Sequence, residues 1–499
     1  MIEGILIGLE TAFSFKNLMM VMIGCFSGTI IGMLPGLGPM TAIALMIPIT
    51  YGFEPSTGLI LMAGVYYGAV FGGSTSSILI NAPGIPGTVA TSFDGYPMAQ
   101  QGKAGKALAI AAYSSFAGGT IAAIFLLIAA PSLSKVSLAF RSPDYFGLMI
   151  LGLTAVSAFS AKGHFLKAMM MVVLGLMLAS VGQDTLSDIP RFTFQNMNLS
   201  DGISFVLVVM ATFAMSEALT IIFKANDPTR IAKQISLSQL GSIKLDKVET
   251  KKMVTTIPRS SVLGFIIGVL PGAGSTIASF LAYGMERNFV NDEEKQKFGK
   301  GSVNGLAAPE TANNAACSGS FVPLLTLGIP GSGTTAVMLG ALLGFGIQPG
   351  PRLYQTNPEI FWSVIMSMYI GMVILLILNL PLIPYIARVL ATPRTFLIPL
   401  ILFFSVTGIY LMSFNNFDIY MMIGIAVVAT VLRLYDFPMP PLILAFVLGG
   451  LMEENLRRSL LISDGSWTFL WNRPLTVIIM LLIVSIVGWQ IYKSFMRNN

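Results

Sequence analysis

"IIGMLPGLGP", residues 30–39, interrupts an apolar stretch with Pro35-Gly36-Leu37-Gly38-Pro39. Unpartnered backbone N–H and C=O groups cost several kcal/mol each in hydrocarbon, so lipid-exposed breaks of this kind do not occur. The break must be buried in protein or line a watery cavity. The same device returns as "IIGVLPGAGS" at residues 266–275. Aligned without a gap, residues 28–42 and 264–278 agree at nine of fifteen positions, where chance gives about one or two. A second pair, 72–87 and 316–331, shares six of sixteen positions and repeats Gly-Ile-Pro-Gly entire.

The rest of the chain supplies the setting. Of 499 residues, 54% are hydrophobic and 10% charged, against about 25% charged in soluble domains. Apolar segments near the ~20 residues a spanning helix needs recur at 108–130, 145–161, 168–182, 203–223, 360–386, 395–413, 417–432 and 474–492. The expected fold is an all-α polytopic membrane protein with roughly 10–14 membrane segments. The first residues lack a basic n-region and a small-residue cleavage site, so no removable signal peptide is expected. Cys25 and Cys317 stand far apart in apolar or glycine-rich context, which gives neither a disulfide framework nor a metal site. The formal charge of +6 falls in short loops, as the positive-inside rule expects, and does not point to nucleic acid. No GxxxxGK[ST] motif is present, which argues against ATP hydrolysis.

The repeats divide the chain into a first membrane unit over 1–224, a basic linker over 225–259, a second unit over 260–452, and a loop with a C-terminal helix over 453–499. Lysine and arginine counts set the orientation of the copies. The segment 224–259 carries eight basic residues and is placed in the cytoplasm, while 183–201 has one arginine against Asp184, Asp188 and Asp201. Loop 46–61 has no basic residue and its counterpart 286–300 has four; loop 92–106 has Lys103 and Lys106 against Arg352 alone in 345–359; 160–167 has Lys162 and Lys167 against none in 413–418. Matched loops switch sides, so the repeats are expected to be inverted and to contain broken, re-entrant hairpins, with Arg457 and Arg458 as the exceptions.

Glycine- and proline-interrupted segments at matching positions of inverted repeats point to the substrate site of a secondary transporter. Bare backbone and half-helix N-termini favour anions, and freed carbonyls coordinate cations. The candidate substrate and ion ligands around the first break are Pro35, Gly36, Gly38, Ser74, Thr75, Ser76, Ser77, Asn81, Gly84, Pro86, Gly87 and Thr88. Around the second they are Gly272, Gly274, Ser275, Thr276, Asn313, Asn314, Ser318, Ser320, Gly328, Pro330, Gly331, Ser332 and Thr334. Hydroxyls and amides there can hydrogen-bond carboxylates and ligate a cation. No arginine cluster lies in these segments, so recognition is expected to rest on dipoles, hydroxyls and a co-transported cation. Small residues also serve plain packing, as in Gly28/Gly32, and serine runs also bond back to their own helix.

Glu217 and Glu310 are the candidate coupling acids. Glu217 reads equally as a cap near the cytoplasmic boundary, and Glu310, after Pro309, as an acid at the start of the second hairpin. His164, the one histidine, falls between Lys162 and Lys167 in a solvated loop. Catalysis has no nucleophile–base pair to rest on, so no enzyme and no resident cofactor or metal is expected.

The stretches Gly32–Pro39, Gly268–Gly274 (Gly-Val-Leu-Pro-Gly-Ala-Gly) and Asn81–Gly87 (Asn-Ala-Pro-Gly-Ile-Pro-Gly), with Phe93-Asp94-Gly95-Tyr96-Pro97, are similar to the large membrane subunit of the tripartite tricarboxylate transporters, and the resemblance covers essentially the whole chain. It implies a bacterial inner-membrane importer of citrate or related carboxylates, driven by a Na⁺ or H⁺ gradient. It further implies a small four-helix membrane subunit and a periplasmic solute-binding protein as partners, in a lipid bilayer, with self-association left open. The expectation is alternating access around a midplane site; the alternative is a channel built on re-entrant loops.

Overall fold

A computed structural model describes residues 2–34, 37–137, 139–158, 165–184, 188–223, 241–272, 274–386 and 394–498. Pro35, Gly36, Ala273, Lys162, His164, Lys224, Arg230 and Lys233 lie outside the described residues. The described chain is helical apart from loops and one two-stranded antiparallel ribbon, Gly182–Gln183 with Pro190–Arg191. Seven helices among the described residues are long and apolar enough to cross a membrane, and five shorter apolar helices accompany them. Large apolar side chains such as Phe26, Met170, Met177, Phe403, Val427 and Leu481 face outward, which suits a hydrocarbon surround rather than water. This is a multi-pass all-α membrane protein.

Helix Phe15–Met33 starts at Ser14, whose hydroxyl accepts from the Asn17 N–H, and ends at Leu34, whose N–H reaches Ile31 O. Gly38, at φ +64°, turns the chain into helix Gly38–Thr50. The copy is built alike. Helix Lys247–Val269 opens on a capping box between Asp246 and Glu249, and the Leu270 N–H returns to Ile267 O. Gly274, at φ +63°, then starts helix Gly274–Phe289. A left-handed backbone at both restarts is what glycine permits without strain.

Each broken helix crosses a partner at backbone contact. A Cβ on Gly28 or Gly32 would lie 2.3 Å from Val65 O or 2.2 Å from Ala69 O. A Cβ on Gly264 or Gly268 would lie 2.4 Å from Ala312 O or 2.3 Å from Ala316 O. The crossing partners are helices Pro55–Ile80 and Val303–Gly319. The Gly28/Gly32 pair is thus a packing seam, as small-residue stripes in membranes commonly are.

The second half of each motif pairs in a different register from the sequence alignment. Gly84 lies against Gly32 O and Gly73 Cα, and Gly331 against Gly268 O and Ser320 Cα. Asn81 and Gly328 both cap their helices in the left-handed region, at φ 51° and 69°. Gly84 therefore corresponds to Gly331, and Asn81 to Gly328, three residues off the Gly-Ile-Pro-Gly match. Identical letters lost to identical backbone roles.

Two further expectations are corrected. Residues 92–106 are not an extended loop: helix Val89–Met98 continues to a sharp kink at Gly102, where φ is +76°, and helix Ala104–Ser137 starts just beyond it. Glu310 does not begin a hairpin; it lies midway along Val303–Gly319, a helix that passes through Pro309 without ending. A buried helix tolerates an internal proline because neighbours can satisfy the freed carbonyl.

Candidate functional site

A cleft of about 580 Å³ opens at the first break. Its walls are Leu37–Thr41, the Pro83–Pro86 loop with Val89, Phe213 and Glu217, and Arg433 with Phe437–Pro440. Helix Gly38–Thr50 begins here with no side-chain cap, which leaves its first N–H groups for another partner. The volume is that of a small-molecule pocket.

Behind the cleft the chain turns through Pro86–Thr88 into helix Val89–Met98. The Thr88 hydroxyl donates to Gly73 O and Ile85 O and accepts from Ser77, which locks the loop onto helix Pro55–Ile80. Gly87 is bare of side chain because a Cβ there would stand 2.7 Å from Asn313 Oδ1 and 3.0 Å from Ser275 Oγ. The two motifs thus meet at Gly87. At the second break the Gly272 N–H donates to Gly331 O at 3.1 Å. Ser332 caps helix Gly333–Gly344 through a box with Thr335, 3.4 Å from Tyr66 Oη.

Helix Val303–Gly319 carries a buried polar row. Ser74 and Ser115 donate to Glu310 Oε2 at 2.7 and 2.8 Å, and Thr91 donates to Oε1. Those three hydroxyls come from three helices of the first half, so one carboxylate of the second half ties them together. Asn314 donates to Glu310 O at 3.0 Å. Both amide atoms of Asn313, Asn314 Oδ1 and Thr311 Oγ1 are buried without a protein partner. Buried polar groups without partners are rare in native proteins. A pinhole cavity of about 10 Å³ between Ser74, Thr75, Ser115 and Asn379 adjoins this row.

The structure brings Gly38, Gly84 and Pro86 to the cleft wall, Ser74, Gly87, Asn313 and Asn314 to the buried row behind it, and the half-buried Ser275 beside Gly87. Ser76 bonds back to Gly73 O, Ser320 to Cys317 O, and Ser318 accepts from Tyr67. Pro330 and Gly331 are buried near the second break, Gly274 and Thr276 are half-buried, and Thr334 is buried at the start of its helix. Asn81 is exposed and Gly328 packs on Pro349, so neither lines the cleft. Among the described residues no cluster of His, Cys, Asp and Glu suits a metal.

A single cation from outside the broken segments does line the cleft. Arg433, from the last turn of helix Asn416–Leu434, pairs with Glu217 and donates to Thr212 O at 2.9 Å. Glu217 is therefore an ion-pair partner rather than a helix cap. Read along the chain, Arg433 is one basic residue just past an apolar segment and resembles any loop-facing charge. Thr91, Ser115 and Asn379 were equally invisible, since lone polar residues in apolar helices carry no signal until their neighbours are known.

Comparison with known proteins follows this geometry. The model of the Tripartite tricarboxylate transporter TctA family matches residues 18–444. The uncharacterized 52.8 kDa protein in the TAR-I ttuC' 3' region of Agrobacterium vitis is 42% identical over 475 residues, covering 95% of this chain and 93% of that protein. The uncharacterized protein in the TAR-II ttuC' 3' region of the same organism is 43% identical over 212 residues, 42% of this chain and 87% of that protein. No solved structure matches the chain.

Proposed function

The chain belongs to the Tripartite tricarboxylate transporter TctA family, and from that premise we propose that it imports tricarboxylates or related organic acids across the bacterial inner membrane. A Na⁺ or H⁺ gradient drives it, a periplasmic binding protein delivers the substrate, and a small four-helix subunit completes the assembly. The observation that carries this reading is the 580 Å³ cleft at a helix break. Glycine-bared backbone and an uncapped helix start meet there, the elements that recognise anions in transporters.

The two halves act as inverted repeats, and alternating access moves the broken elements of one against the other. Glu310 is the coupling acid. An ionised carboxylate accepts from all three of Ser74, Thr91 and Ser115; a protonated one must itself donate, so one of those hydroxyls has to turn. Asn313 and Asn314, with unpartnered amide oxygens, supply neutral ligands for a cation beside it.

The test is uptake of radiolabelled citrate by proteoliposomes holding the chain and both partner subunits, with Na⁺ and pH gradients imposed separately. Saturable accumulation against a citrate gradient supports a carrier. Downhill flux alone overturns it, because a channel cannot concentrate its solute.

A further inference from the structure

Arg433 has five N–H donors on a rigid planar fork. Glu217 engages Nη1, and Thr212 O engages Nη2 at 2.9 Å. The Phe213 ring lies 5.7 Å from the guanidinium carbon. Nε is buried with no partner among the described residues. The arginine is thus held in place from two sides with a donor still uncommitted, beside a cleft otherwise walled largely by proline and apolar side chains.

The backbone is reshaped to hold it. Met210–Met215 is a π-helical turn in the middle of an otherwise α-helical span. π-Bulges redirect carbonyls and concentrate at functional sites. This one gives Thr212 O to Arg433 and Phe213 O to the hydroxyl of Thr41, at 3.3 Å, on the first broken element. One turn of helix therefore links the arginine to the break.

A lone guanidinium in such a wall would be costly to bury; paired with a carboxylate it is neutral. We infer that Arg433 is the anchor for a substrate carboxylate, and that Glu217 occupies its fork as an internal stand-in which the substrate displaces. A planar carboxylate matches the guanidinium fork bidentately, better than any dipole at a helix end does. This inference rests on the carboxylate-import reading above and adds the residue that selects the anion.

The test measures binding of radiolabelled citrate to the full chain in nanodiscs alongside its unfolding temperature. Arg433→Gln is expected to weaken binding by about thirtyfold or more, the loss typical of removing one partner from a buried charged contact. Arg433→Lys keeps the charge without the fork and recovers only part of it. Glu217→Gln removes the competing carboxylate and tightens binding. The exchanged pair Glu217→Arg with Arg433→Glu decides between anchor and structural lock, and does so even if the single variants fold poorly. A folded exchange variant that has lost citrate supports the anchor; one that binds like wild type, or an Arg433→Gln variant with unchanged affinity, overturns it. If the wild type with its partners neither binds nor takes up any tricarboxylate, the import reading itself falls.

Discussion

Gly28→Ala and Gly264→Ala test the seam that holds each broken helix. The added Cβ would stand 2.3 Å from Val65 O and 2.8 Å from Val65 Cα in the first case. In the second it would stand 2.4 Å from Ala312 O and 2.7 Å from Ala312 Cα. Ordinary contact begins near 3.4 Å, so each pair of helices must part by about 1 Å at its crossing. The obstacles are backbone atoms, which have no rotamer to yield. Overpacking costs about 1–3 kcal/mol and this belongs at the upper end. Alanine returns ~1 kcal/mol of helix propensity. The net is a destabilisation of about 2 kcal/mol at either position. Gly284→Ala is the control, since nothing lies within 4 Å of its Cβ and only the propensity gain remains. Cys25 and Cys317 are free and buried, so a thiol-reactive fluorogenic dye reports unfolding of purified protein without added labels. Both seam variants should melt several degrees below wild type, by similar amounts, and Gly284→Ala at or above it. Seam variants as stable as the control would refute the backbone contact; a large loss at only one would refute the equivalence of the two crossings.

Gly272→Val places a β-branched residue at φ +79°, a strain of about 1–2 kcal/mol; membrane insertion should survive while citrate uptake is lost, and normal uptake would remove the second break from the site. Under the coupling role proposed above, Glu310→Gln should cut gradient-driven citrate accumulation by about tenfold or more while leaving citrate–citrate exchange; undiminished accumulation would exclude it. Asp94 accepts from the Gly301 and Ser302 N–H groups at 2.9 and 2.7 Å and from Tyr283 Oη at 3.0 Å. Asp94→Ala leaves those donors stranded and should cost about 2–4 kcal/mol, whereas Asp94→Asn, which keeps an acceptor, should recover most of it in the same melt. Burial pushes the Glu294 carboxyl up, but its hydrogen bonds to Lys252 and Lys297 outweigh that and hold it below the ordinary value of 4.5. Its contribution to stability is therefore complete above about pH 4.5 and fades as the pH falls through the lower, folded value. Glu294→Gln should flatten that acid limb of the melting profile.

Several features were legible because their cause is covalent and local. Proline lacks the N–H that a helix needs and glycine alone enters the left-handed region without strain. Hence "LPG" followed by x-Gly had to end one helix and start another, and both restarts are found at Gly38 and Gly274. The spans followed in the same way: the apolar segment read at 417–432 is helix Asn416–Leu434, and that at 145–161 is helix Ser142–Ala158.

Proline's local rule also misled at Pro309. There the surrounding helices outweigh one missing hydrogen bond, so Glu310 is carried into the interior instead of standing at a helix start. The Gly-Ile-Pro-Gly match misled by three residues, because what repeats is the close approach of Gly84 and Gly331 to the broken helices.

By itself the sequence determined that this is a membrane protein of repeated, broken helices, since composition and backbone freedom are properties of each segment alone. Only the tertiary structure decided that Arg433 meets Glu217 across 216 residues, and that Ser74, Thr91 and Ser115 converge on one carboxylate. Stripes of glycine and alanine allow a helix to cross many partners at nearly equal cost. Which crossing is taken depends on every other helix in the bundle, and the polar partners of a buried charge are fixed by that choice.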